Sequence, residues 1–131
     1  MPSTDVAALI DRCLDQPQGE LSLWIDDIPV SLRRRPGGWY YLAELQLPVP
    51  VDIQVMQSAL RITRPALAHF ADESAALCLN PQSDTLCLIL RLKNDQTDYA
   101  VTLLESLCNQ CEVWQETLLS LLTRQRVTTS V

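Results

Sequence analysis

The last third of the chain carries the clearest alternation of apolar and polar positions. A short apolar segment, Ala75 to Leu79, is followed by the polar run Asn80-Pro81-Gln82-Ser83-Asp84 and then by Thr85 to Leu92, apolar at nearly every position. This pattern predicts two strands joined by a turn. From near Thr97 onward, Ala100, Leu103, Leu104, Leu107, Cys108, Cys111, Trp114, Leu118, Leu121 and Leu122 recur at three- and four-residue steps. They form the stripe of one long amphipathic helix, with Asp95 or Thr97 placed to cap it. At the other end, Val6, Leu9, Ile10, Cys13 and Leu14 predict a first helix capped by Ser3 or Thr4 and stopped by Gln16-Pro17-Gln18-Gly19.

Between these helices the period changes to two. Leu21, Leu23 and Ile25 alternate with polar residues, Asp26-Asp27 turns the chain, and a second alternating run passes through Val30 and Leu32. Arg33-Arg34-Arg35-Pro36-Gly37-Gly38 reads as a second turn, and Trp39 to Leu47 as a third strand. Leu47-Pro48-Val49-Pro50 is a connector, because neither proline can donate a backbone hydrogen bond. Helical spacing returns in Val51 to Thr63 through Val55, Met56, Ala59 and Leu60, with Pro65 marking the expected end. Ala66 to Ser74 is ambiguous and has room for one more helical turn. The predicted order is helix, three antiparallel strands, helix, two strands and a long C-terminal helix, an α+β fold with helices on a mostly antiparallel sheet. Residues 1–123 are expected to form one domain, and residues 124–131 a polar tail that frays.

The run from Thr85 to Leu92 raises a question of cover. Leu86, Leu88, Leu90 and Leu92 point one way, while Cys87 and Ile89 point the other. A strand apolar on both faces must be covered on both. Either helices lie on both sides within one chain, or a second copy of the chain supplies the missing layer.

Composition narrows the function. A length of 131 residues, 47% of them apolar and 20% charged, suits a single globular core. A formal net charge of −6 argues against a nucleic-acid backbone or an anionic membrane as the partner. The longest apolar run, Leu86 to Leu90, falls far short of the ~20 residues of a membrane span, and no secretory leader precedes the first helix, so the chain is expected in the cytoplasm. The five cysteines, Cys13, Cys78, Cys87, Cys108 and Cys111, are an odd set within apolar pattern and read as reduced core thiols.

No catalytic constellation emerges, and the chain is expected not to be an enzyme. Cys108-Asn109-Gln110-Cys111 has the spacing of a redox motif or half a zinc site, but on a helix its thiols face the core one turn apart, and no second pair is present. His69 is the only histidine, Asp26-Asp27 sits where a hairpin turns, and Gly19, Gly37 and Gly38 form no phosphate loop. Arg33-Arg34-Arg35 is the one basic cluster; it reads as a solvated turn, or as a recruiter of an acidic segment. No metal or cofactor is expected.

The pattern Val6-x-x-Leu9-Ile10-x-x-x-Leu14, the strand Leu21-x-Leu23, the segment Leu77-Cys78-Leu79-Asn80-Pro81 leading to Leu86-Cys87-Leu88-x-Leu90, and Leu103-Leu104-Glu105-Ser106-Leu107 leading to Trp114 and Leu118 resemble the class I effector chaperones of bacterial type III secretion, a Tir-chaperone-like family. The resemblance spans nearly the whole chain; the departure is the proline-rich stretch from Leu47 to Ser74. It implies a homodimeric secretion-chaperone-like fold in the cytoplasm of a Gram-negative bacterium. It further implies a virulence role in which the dimer, without nucleotide, binds the extended N-terminal segment of one secreted effector and keeps it soluble, with the secretion ATPase or sorting platform as a further contact. Leu9, Leu14, Leu23, Ile25, Val30 and Leu32 are the candidate effector contacts, with plain core as the competing reading. Val55, Ala59, Leu60, Cys87 and Ile89 are the candidate dimer interface. The alternative is a regulatory adaptor of the same fold that binds an anti-activator or another small secretion component.

Overall fold

Asp26 and Asp27 both adopt positive φ, 49° and 69°, the signature of a two-residue type I′ turn. They join strands β1 (Glu20–Ile25) and β2 (Ile28–Arg35) with Ile25 opposite Ile28. In the computed structural model, which describes the backbone of residues 2–130 and the side chains of residues 6–124, the helix α1 (Pro2–Leu14) precedes this hairpin. Strand β3 (Gly38–Glu44), helix α2 (Ile53–Phe70), strands β4 (Ala76–Asn80) and β5 (Thr85–Arg91) and helix α3 (Thr97–Ser130) follow. The sheet order is β1-β2-β3-β5-β4, with every neighbouring pair antiparallel. The α+β class and the order of elements expected from the sequence are those observed.

Register divides the sheet into two faces. Val30 pairs with Ala43, Ala43 with Leu88 and Leu88 with Leu77, so these side chains share one face, as do Leu32, Tyr41 and Leu90. That face is covered by α1 and α3, and α2 packs on α3. The buried Tyr41 hydroxyl donates to the Ala100 carbonyl at 2.7 Å, fixing the sheet to the start of α3. Trp114, Leu107 and Leu118 of α3 are buried, as their spacing predicts.

Several boundaries differ from the expected ones for identifiable reasons. Arg33 to Arg35 extend β2, and only Pro36 and Gly37 make the turn, with Gly37 at φ 103° where a side chain would be strained. Strand β3 ends at Glu44 because the Gln46 amide donates to Gln115 Oε1 of α3 at 2.8 Å instead of to a neighbouring strand. Helix α2 begins after Asp52, whose carboxylate accepts from the Val55 amide at 2.9 Å. It continues through Pro65 to Phe70. Ile62 and Ala66, on either side of the proline, are both buried against the core and hold the helix in place across the lost backbone bond. At α3 the Ala100 amide bonds to the Gln96 carbonyl, so Gln96 occupies the capping position. The Thr97 hydroxyl instead donates to Asp11 of α1 at 2.7 Å. Ser3 and Thr4 lie inside α1, and their side chains are outside the described residues, as are those beyond Arg124, where the α3 backbone runs on to Ser130.

Candidate functional site

The second face of the sheet carries Ser22, Trp24, Ser31, Leu42, Glu44, Cys87, Ile89, Ala76 and Cys78, and no helix among the described residues packs on it. Strand alternation dictates this: each of these positions is one step out of phase with a core residue. Trp24 stands 72% exposed, while Leu42 and Ile89, opposite each other across β3 and β5, are half-buried. Cys87 is sunk between Glu44 and Cys78 on the flanking strands. Trp24, Leu42, Cys78 and Cys87 line a cleft of about 420 Å³ on this face. Burial pushes the Cys87 thiol up to about 11, with further contributions from Cys78 and Glu44, so this thiol stays protonated near pH 7.

Helix α2 presents a second apolar surface. Val55, Ala59, Ile62 and Ala66 face the core, whereas Ile53, Met56, Leu60 and Leu67 are exposed. At ~100° per residue the two stripes lie roughly 120° apart around the helix. Leu60 is 65% exposed with no described element over it. Apolar side chains on the outside of a helix, here Ile53, Met56 and Leu60 on successive turns with Leu67 beyond Thr63 and Arg64, signal a contact surface.

The residues singled out from the sequence thus divide. Leu60 and Ile89 are on open surfaces and Cys87 lines the cleft. Val55 and Ala59 are 2% and 0% exposed, so they position α2 on α3 and offer no area to a second copy. Leu9 is exposed on α1, and Leu14, Leu23 and Ile25 are half-buried on the helix-covered side. Val30 and Leu32, at 3% and 1%, correct the expectation of a contact there: they pair into the core through Ala43 and Tyr41. Sequence reasoning missed Trp24, Leu42, Ile53 and Leu67. The strand alternation that put Leu23 and Ile25 together already placed Trp24 opposite them, and the separation of the two α2 stripes was readable from their spacing.

Arg33 pairs with Glu20 at 3.0 Å across the exposed β1–β2 edge, and the Arg34 guanidinium lies 5.9 Å from the Trp39 ring centroid. Cys111 is buried, and burial first, then its neighbours Cys108, Cys87 and Glu112, pushes its thiol up to about 12, which suits packing and disfavours nucleophilic use. Among the described residues no group of three His, Cys, Asp or Glu side chains is close enough to hold a metal ion, and no helix is long and apolar enough to cross a membrane.

No protein-family model and no curated protein matches the chain. Solved structures do. One chain of the crystal structure of the ExsC–ExsE complex superposes with a TM-score of 0.63 at 14% identity, over 88% of this chain and 95% of that one. A chain of the heterodimeric ExoU–SpcU complex, from the type III secretion system of Pseudomonas aeruginosa, superposes with a TM-score of 0.51 at 20% identity, over 79% of this chain and 84% of that one. At these identities the likeness is one of fold, and the fold of this chain is the α+β secretion-chaperone-like fold that its sequence pattern resembles.

Proposed function

We propose that this chain is a non-catalytic binding protein of type III secretion: a cytoplasmic homodimer that holds an extended N-terminal segment of one secreted effector without using nucleotide. The observation that carries this reading is the uncovered sheet face, with Trp24 standing over a cleft bordered by Leu42 and Cys87. An extended segment suits such a face because alternate side chains can enter the cleft while the intervening ones stay in water. The edge strands β1 and β4 offer unpaired backbone groups for strand addition. Ordering a disordered segment opposes binding, so a long contact is needed, and a second copy joined through the α2 stripe would double the available surface. The likeness to chains found in two-protein complexes, one of them from a type III secretion system, supports the same reading.

The test is co-expression with the products of neighbouring genes followed by pull-down. A large secreted protein should co-purify through its N-terminal region, and Trp24→Ala should release it while leaving the chain folded. Retention of a small regulatory component and of no effector would make the chain the regulatory adaptor instead. Failure to retain either partner would refute both.

A further inference from the structure

At the end of the sheet nearest the β1–β2 turn, α1, that turn and the middle of α3 enclose a groove of about 400 Å³. Its floor is apolar: Val6 of α1, Ile25 of β1, and Val101, Leu104 and Cys108 of α3 line it. Leu104 belongs to the core, while Val6, Ile25, Val101 and Cys108 are half-buried and face the opening. Its rim is acidic, formed by the exposed side chains of Asp26, Glu105 and Glu112, and no lysine or arginine among the described residues lines it. Helical spacing explains the rim on α3, since Glu105 and Glu112 are seven residues, about two turns, apart on one side of the helix. Asp26 reaches the same opening because the type I′ turn holds it at positive φ. All three carboxylates line the same groove as Cys108, and after burial they are the groups that push its thiol up to about 11.

We propose that this groove is a docking site for a peptide segment that places an apolar side chain on Val101, Leu104 and Cys108 and an adjacent lysine or arginine between Asp26, Glu105 and Glu112. The assignment rests on the chain being a binder of partner segments and adds the chemistry of one stretch of the partner. An apolar residue alone would leave three carboxylates crowded around a closed groove without a counter-charge, and an acidic segment would be repelled by all three. A basic residue beside the apolar anchor satisfies both requirements. The site lies on the helix-covered side of the sheet, away from Trp24, so a segment reaching both must pass around the β1 edge.

The test is a titration of the isotopically labelled protein with a short glycine-serine peptide carrying one Arg-Leu-Arg triplet, followed through backbone amide shifts. Shifts should concentrate at residues 25–26 and 101–112, weaken with added salt, and vanish for the peptide with Glu in place of both arginines. The triple variant Asp26→Asn, Glu105→Gln, Glu112→Gln alters only exposed side chains, and asparagine tolerates the positive φ at position 26. It should bind the Arg-Leu-Arg peptide about ten-fold more weakly, since each exposed ion pair is worth a factor of roughly 1.4 to 5. Binding within two-fold of the parent, equal binding of the glutamate peptide, shifts centred on Trp24 and Leu42, or no shifts at millimolar peptide would each overturn the assignment. A full-length partner that still co-purifies with the triple variant at parental affinity would overturn the groove and leave the binding function standing. A parent protein that captures no partner at all would refute the function itself.

Discussion

Leu60→Asp tests the pairing surface most directly. The side chain is 65% exposed in the single chain, and full burial of a leucine is worth about 1.5–3 kcal/mol, so covering it with a second copy contributes about 1–2 kcal/mol. Twofold symmetry places two such residues in one interface, so loss of the leucines alone costs the dimer about 2–4 kcal/mol. At 1.4 kcal/mol per factor of ten, the dissociation constant rises about 30- to 700-fold, and a carboxylate forced into an apolar contact moves the result toward the upper end. Leu60 points away from α3, so the monomer should fold as before, unlike a charged substitution at Val55, which is 2% exposed. Light scattering across a concentration series, with circular dichroism as the control for folding, reads the effect. An unchanged dimer in Leu60→Asp, or a parent protein that stays monomeric at high concentration, would refute the assignment of the α2 stripe.

Other outcomes follow from the same geometry. Gln110 is fully buried; its Oε1 accepts from the Ala75 amide at 2.8 Å and its Nε2 donates to the Glu73 carbonyl at 2.6 Å, linking α3 to the segment before β4. Gln110→Ala should therefore lower the unfolding free energy by about 1–3 kcal/mol, measured by urea denaturation, because a buried amide is left unpaired. Trp24→Ala, at an exposed site, should change it by less than about 0.5 kcal/mol. The thiols set an alkaline limit: Cys87 and Cys108 are pushed up to about 11 and Cys111 to about 12, from an ordinary 9.0. Above pH 9 the unfolded chain gains thiolates that the folded chain resists, so their contribution, complete below pH 9, should fall as pH rises toward 11, and less steeply in Cys111→Ala. A urea midpoint that stays level from pH 8 to 10.5 would contradict the neutral-thiol core.

Much of the fold was written in periodicity. The stripe from Ala100 to Leu122 marked α3, the alternation Leu21-Leu23-Ile25 marked β1, and Asp26-Asp27 marked its turn, because each follows from local chain geometry alone. The continuation of α2 through Pro65 was not legible: Ile62 and Ala66 on either side of it are seated against the core, contacts invisible to a rule about missing amides. The start of α3 was hidden for the same reason, since Thr97 bonds to Asp11, far away in sequence.

The amino-acid sequence by itself determined which residues share a face: Cys87 with Ile89, Leu23 with Ile25, Val55 with Ala59. Only the tertiary structure decided which face meets water. Val30 and Leu32 became core because β3 lies beside β2 and α1 and α3 cover that side of the sheet, whereas Trp24, Leu42 and Leu60 lie on surfaces that no described helix covers. Periodicity is a property of the local backbone, but exposure is a property of everything packed against it. A contact surface is defined by exposure, so it could be seen only after the chain had closed.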